Sequence, residues 1–214
     1  MIVREKSIKI QPFLCENYLK LDGGHAIYKD ALFFDLEHYV YKKPICVGVF
    51  GCCYYDETAE NLIVTQYMIE NETDANDILL LARDYFLDKC KNFNKKYIIT
   101  FSGNNDFTVI NYLFQTHNIG LEIEDYYKKI DLQKEYEKCK GVCIGLKALE
   151  KEFNIFRDSE LISGSNLAKT FGKIVKDSEY ANRMPNEKKE KILLYNEQDV
   201  VSLFHIYIDW RKYI

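Results

Sequence analysis

Two carboxylates stand two residues apart in the run Phe33-Phe34-Asp35-Leu36-Glu37. On a strand, Asp35 and Glu37 would point the same way and Leu36 the other. Carboxylates leaving an apolar strand together are costly to hold without a cation. Hard divalent ions accept oxygen ligands of this kind. A pair of this spacing is common by chance, and a solvated strand end explains it as well, so it needs support from elsewhere in the chain. The stretch Thr100-Phe101-Ser102-Gly103-Asn104-Asn105-Asp106-Phe107 reads as a strand end, a glycine turn and the start of a helix. There Asp106 either reaches over the strand ends or helps cap the helix. In Tyr195-Asn196-Glu197-Gln198-Asp199 a phenol and a carboxylate are four apart and share a helical face. Such a phenol can orient a water on a metal held by the carboxylate, or both can be ordinary helix surface. Asp131, ending an expected strand, is a further acidic candidate of supporting or structural kind.

These side chains need elements to position them. Apolar alternation and β-branched content predict strands over residues 31–36, 45–55, 61–69, 97–101 and 126–132. Residues 74–90 predict an amphipathic helix capped by Asp74, with Ile78, Leu81, Tyr85 and Leu87 near one face. Further helices are expected over 105–117, 145–153, 165–177 with Ser165 as N-cap, and from Asn186 as N-cap to near the C-terminus. The order β-β-β-α-β-α-β-α-α-α implies an α/β fold. Its mixed five-stranded sheet has three antiparallel strands, then parallel ones, flanked by helices. Such sheets place ligands at the carboxyl ends of their strands. No repeat, low-complexity tract or Pro/Gly-rich linker divides the chain. One domain over 31–214 is expected, preceded by an N-terminal extension, 1–30, that could cover a sheet edge or help form a dimer.

Taken in order, the three acidic stretches resemble the three exonuclease motifs of the DEDD (DnaQ-like) superfamily of 3′–5′ exonucleases, whose fold is RNase H-like. Tyr195 four before Asp199 resembles the tyrosine-containing variant of the third motif. Within the superfamily the likeness is to the YprB-type RNase H-like domain. It rests on Thr100 to Phe107, on Gly145-Leu146-Lys147-Ala148-Leu149-Glu150, and on Tyr195-Asn196 with Asp199-Val200. It spans most of residues 31–210. Two details depart from the pattern: Asp106 precedes its aromatic neighbour Phe107 rather than following it, and Tyr195 stands where that family often has histidine. The resemblance implies that Asp35, Glu37, Asp106 and Asp199 bind two divalent ions, Mg²⁺ or Mn²⁺, and that Tyr195 orients the attacking water. Glu37 would also contact the terminal nucleotide. The implied reaction is hydrolysis of phosphodiester bonds of single-stranded DNA or RNA from the 3′ end, releasing nucleoside 5′-monophosphates. Two alternatives stay open: a catalytically weak RNase H-like domain that binds nucleic acid or acts as a scaffold, and a nuclease that cuts internally.

Bulk properties narrow the field. A net charge of −4 is unlike that of a protein that coats duplex nucleic acid, yet suits a nuclease whose site is acidic. Seven cysteines and no secretory leader predict reduced thiols and a cytoplasmic location. Cys139 and Cys143 have zinc-like spacing but no second ligand pair. No apolar run approaches the ~18 residues of a membrane span. No nucleophile elbow, P-loop or dinucleotide fingerprint is present. The four histidines, His25, His38, His117 and His205, read as non-ligands; His38 in particular should face away from the Glu37 side of its strand. The lysine pairs 42–43, 95–96, 128–129 and 188–189 read mostly as solvated surface, with Lys42-Lys43 placed to meet backbone phosphates. A phosphate contact could also form at the start of the helix near Ser165.

Overall fold

Alternating apolar residues from three long strands build the centre of a six-stranded mixed sheet with helices on both faces. The structure is a computed structural model and describes residues 1–14, 16–21, 24, 26–157 and 162–214. The strands are β1 (Ile2–Lys9), β2 (Ala31–Tyr41), β3 (Lys43–Asp56), β4 (Asn61–Met68), β5 (Tyr97–Thr100) and β6 (Lys128–Asp131). They lie in the order β1-β4-β3-β2-β5-β6. β1, β4, β3 and β2 run antiparallel to their neighbours, whereas β5 and β6 join β2 in parallel.

The sheet has six strands where the sequence predicts five. β1 comes from the segment read as an extension and pairs along its whole length with β4. Its sequence IVREKSIK carries Arg4, Glu5, Lys6 and Lys9, so the apolar period is diluted, as suits an edge strand. Arg4 and Lys6 tie it to the long C-terminal helix through Glu190 at 2.7 Å and Glu197 at 2.6 Å.

β2 is also longer than expected. It runs to Tyr41 because β3 pairs with it throughout, so Asp35 and Glu37 sit mid-strand rather than at a strand end. On its other side β5 pairs only with Ala31, Leu32 and Phe33. The carboxylates therefore emerge just past the carboxyl end of β5. The β2–β3 ladder shifts register between Glu37 and His38, opposite Gly48. A Cβ at Gly48 would stand 2.2 Å from the Phe171 ring, so the glycine at this bulge is what lets that ring approach.

The helices are α1 (Asp74–Phe93), α2 (Asn104–Thr116), α3 (Leu132–Lys140), α4 (Leu146–Glu152), α5 (Gly164–Ile174), α6 (Tyr180–Arg183), α7 (Asn186–Ile208) and α8 (Trp210–Tyr213). α3 was not expected; only Leu132 and Tyr136 of its nine residues are buried, so its periodic signal is slight. Caps differ by a residue or two from the expectation. Ser163 rather than Ser165 caps α5, accepting from the Asn166 N–H, while Leu161 lies outside the described residues. Asp74 and Asn186 are the first residues of their helices, after Thr73 and Pro185. On α1 the buried row is Ile78, Leu79, Ala82, Tyr85, Phe86 and Lys89; Leu81 and Leu87 are at its margin.

Residue parity along β2 sorts the core into two layers. Leu32, Phe34 and Leu36 face α1, α2 and α5, where Phe86, Phe114 and Phe171 pack. Ala31 and Phe33 face α7, with Val200, Phe204 and Tyr207. Asp35 and Glu37 continue the second row, so they look toward α7. No helix among the described residues is long and apolar enough to cross a membrane.

Candidate metal centre

The parity of β2 and the pitch of α7 bring three carboxylates together. Asp35, Glu37 and Asp199 each offer an oxygen, and these atoms all lie within 4.8 Å of one another. They come from opposite ends of the chain. What lets α7 approach β2 so closely is Gly51 on β3, which pairs with Asp35 across the ladder. A Cβ at Gly51 would lie 2.0 Å from the Asn196 Oδ1, so the glycine leaves the notch that the Asn196 carboxamide fills. Asn196 is fully buried and donates from Nδ2 to Asp35 Oδ2 at 3.0 Å. Gln66 donates in turn to Asn196 Oδ1 and to the Leu193 carbonyl, each at 2.8 Å. This chain of amides fixes the Asp35 carboxylate before any ion is bound.

Asp106 approaches from α2. It is buried at 8% exposure, so it does not point to solvent, and its charge is felt by Glu37. It lies outside the tight group of three. His38 follows Glu37 at the register shift of β2 and β3, and Asp106 Oδ1 lies 3.7 Å from its ring Nδ1, so it stands beside an acid of the site. His117 ends α2 and meets Asn76 at 3.1 Å, away from the cluster. His205 lies further along α7, and His25 is outside the described residues. Asp131 serves structure: its Oδ1 accepts from the N–H groups of Ser102 and Gln133, capping α3 and closing the turn after β5.

The electrostatics are those of an over-filled acidic site. Burial raises the Asp35 pKa to about 7, with Asp199 adding to the effect and Asn196 opposing it. Burial, then Asp35, Asp199 and Asp106, push Glu37 up to about 10. Asp106 is raised well above the carboxylate range by burial and by Asp35, Asp131 and Asp199. Tyr195 is one turn before Asp199, with 9% exposure. Burial and the nearby Asp199 and Glu37 raise its pKa, so its hydroxyl keeps its proton.

Two cations and one further acid had no assigned role in the sequence. Lys147 donates to Asp199 Oδ1 at 2.5 Å, and Arg157 donates to the same oxygen. Arg157 also grips Glu150 with two nitrogens, and both residues are almost completely buried. Burial opposes the guanidinium charge, but Glu150 and Asp199 outweigh it. Both cations stand over the Tyr195 ring, at 4.4 Å and 5.3 Å. Lys147 and Glu150 fall within a stretch that carried the family likeness, as does Asn196. Arg157 carried no signal at all.

The family model RNase_H_2, of the RNase H superfamily, matches residues 32–211, nearly the whole chain. This chain belongs to the RNase H superfamily. No curated protein and no solved structure matches it significantly. The RNase H-like assignment agrees with the mixed sheet and with a carboxylate cluster drawn from β2 and α7. Nucleases of this superfamily act on nucleic acid with divalent metals. The donors here, all hard carboxylate oxygens, fit Mg²⁺ or Mn²⁺ rather than a soft ion.

Proposed function

We propose that the protein is a metal-dependent 3′–5′ exonuclease of the DEDD type, in its tyrosine-containing class, acting on single-stranded DNA or RNA. The observation that carries this reading is the convergence of Asp35, Glu37 and Asp199 within 4.8 Å, with Tyr195 one helical turn from Asp199. Asp35, Glu37 and Asp199 would hold divalent ions, two in the full reading, with Asp106 completing the set. Bound there, such ions neutralise phosphate charge and lower the pKa of a water. The chain's own groups do the rest. Asn196 orients Asp35 and opposes the rise in its pKa. Tyr195 keeps its proton, so it orients the attacking water rather than deprotonating it. Lys147 and Arg157 place positive charge on the Tyr195 side, where a phosphodiester's oxygens need it. Water adds to phosphorus, the bond to the 3′ oxygen breaks, and a nucleoside 5′-monophosphate leaves.

One observation favours a second reading, an RNase H-like domain that binds nucleic acid with little turnover. Lys147 and Arg157 both pair with Asp199, which offsets its charge from within the chain. Incubating a 5′-labelled single strand, DNA or RNA, with Mn²⁺ or with EDTA decides between them. The exonuclease yields a ladder shortening from the 3′ end that needs Mn²⁺ and falls more than about 100-fold in Asp35→Ala. No cleavage by folded wild-type protein would leave the binding domain. A single internal cut on an end-blocked strand would instead mark an endonuclease.

A further inference from the structure

Against a net charge of −4, one groove at the start of α2, the helix of Asp106, is cationic. It has a volume of about 560 Å³ and runs along β6 and the carboxyl end of β5, between the start of α2 and the outer face of α3. Lys20, Lys128, Lys129, Lys134 and Lys138 line it, and all five are exposed. Lys129 pairs with Glu124 at 2.5 Å and Lys138 with Glu135 at 2.7 Å. Lys134 reaches a neutral partner, the Asn104 carboxamide, at 3.4 Å. Asp131 also borders the groove, but its Oδ1 is engaged by two backbone N–H groups. The floor is apolar, formed by Phe107 and Ile130.

The groove borders the start of α2, the helix that carries Asp106. Gly103, Asn104 and Phe107 line it, and Asp106 lies between them on α2. Asp131 acts electrostatically on Asp106, which marks the two as near neighbours. Lysine ammonium groups are mobile point charges. They suit a succession of phosphates better than one oriented carboxylate.

We propose that this groove holds the phosphodiester backbone of a single nucleic-acid strand whose 3′ end lies at the metal centre. The proposal rests on the nuclease reading above and adds the path of the strand. A second lysine-bearing groove, of about 420 Å³, lies between α5 and α7 and includes Lys169, Lys173, Lys188 and Lys191. Its two α7 lysines stand roughly 12 to 16 Å along the helix axis from Asp199. No residue of the start of α2 lines it, so it serves as a charge-matched control.

The test measures binding of a short fluorescein-labelled oligothymidylate in Ca²⁺, by anisotropy, across a range of salt. Lys128→Gln/Lys134→Gln is compared with Lys169→Gln/Lys173→Gln and with wild type. The first double variant should flatten the slope of log Kd against log[salt] by about 1.4 and weaken binding on the order of tenfold near 0.1 M salt. The control should keep the wild-type slope. Equal losses in both variants, an unchanged slope in the first, or no binding by wild type would each overturn the groove. Hydrolysis of thymidine 5′-(p-nitrophenyl phosphate) by wild type in Mn²⁺ is measured alongside. Hydrolysis without a slope change sinks the groove and leaves the nuclease; a slope change without hydrolysis sinks the nuclease and leaves a backbone-binding site.

Discussion

The two sides of the acidic cluster meet the same electrostatic problem and solve it differently. On the α7 side, Asp199 is flanked by Lys147 and Arg157, and Asp35 is held by Asn196. On the α2 side, among the described residues, the charges that act on Asp106 are carboxylates, and Glu37 has Lys147 to offset three acids. His38 stands beside Asp106, but burial lowers its pKa and keeps the ring neutral. One side is therefore neutralised by the chain itself, and the other is left for protons or for an added cation. A protein built only for stability would not keep the second arrangement, because an unpaired buried charge is among the costliest features a fold can carry.

Variants can break this contrast, and the largest effect should come from the neutralised side. Asp199→Asn leaves Lys147 without its carboxylate and Arg157 with Glu150 alone. It should lower unfolding stability in EDTA by about 3 kcal/mol, read by urea denaturation. No loss would mean that the ion pairs carry no net stabilisation. Gly51→Ala should cost about 2 kcal/mol by overpacking Asn196, and it should weaken Mn²⁺ binding, because Asn196 then no longer orients Asp35. Unchanged Mn²⁺ affinity would remove the amide chain from the account of the site.

The opposite sign is expected on the other side. Glu37→Gln removes a carboxylate that its neighbours repel, so in EDTA near neutral pH it should raise stability by roughly 1 kcal/mol. The same variant should lose most of the Mn²⁺-induced rise in Tm seen in wild type. A destabilised Glu37→Gln would show that the repulsion is already relieved in the folded protein. The smallest effect is that of pH without metal. The Asp35 pKa is raised to about 7 in the folded state from its ordinary value of 3.8. The folded state thus binds the proton more tightly than the unfolded chain. This contribution to stability is full below pH ~4 and is lost as the pH rises toward and through 7. The Tm in EDTA should drift down by a few degrees over that window, and saturating Mn²⁺ should flatten the drift. An upward drift attributable to this site, tested with Asp35→Asn, would contradict the raised pKa.

The contrast between the two sides also separates what is legible in the chain from what is not. Asp35 and Glu37 could be found because a strand's period of two is written in Phe33 to Glu37. Tyr195 and Asp199 could be paired because a helix puts residues four apart on one face. Asp106 was visible as the first acid after a strand–glycine turn. The mixed sheet followed from the order of its elements, whereas β1 was hidden by its charges and α3 by its slight burial. Lys147, Glu150 and Asn196 lay inside recognisable stretches but had no role there. Arg157 was invisible, because its two partners are seven and forty-two residues away.

The sequence by itself determined which carboxylates face which way, because local period is a property of neighbouring residues. It also gave a reason to look for a cation there, because two carboxylates leaving an apolar strand together are costly to hold without one. The tertiary structure decided how many acids meet and which of them are neutralised from within. It put His38 beside Asp106, seated Asn196 in the notch left by Gly51, and swung Arg157 onto Asp199. Those outcomes depend on how helices dock on a sheet, and docking is settled by packing between segments far apart in the chain, which no local pattern records.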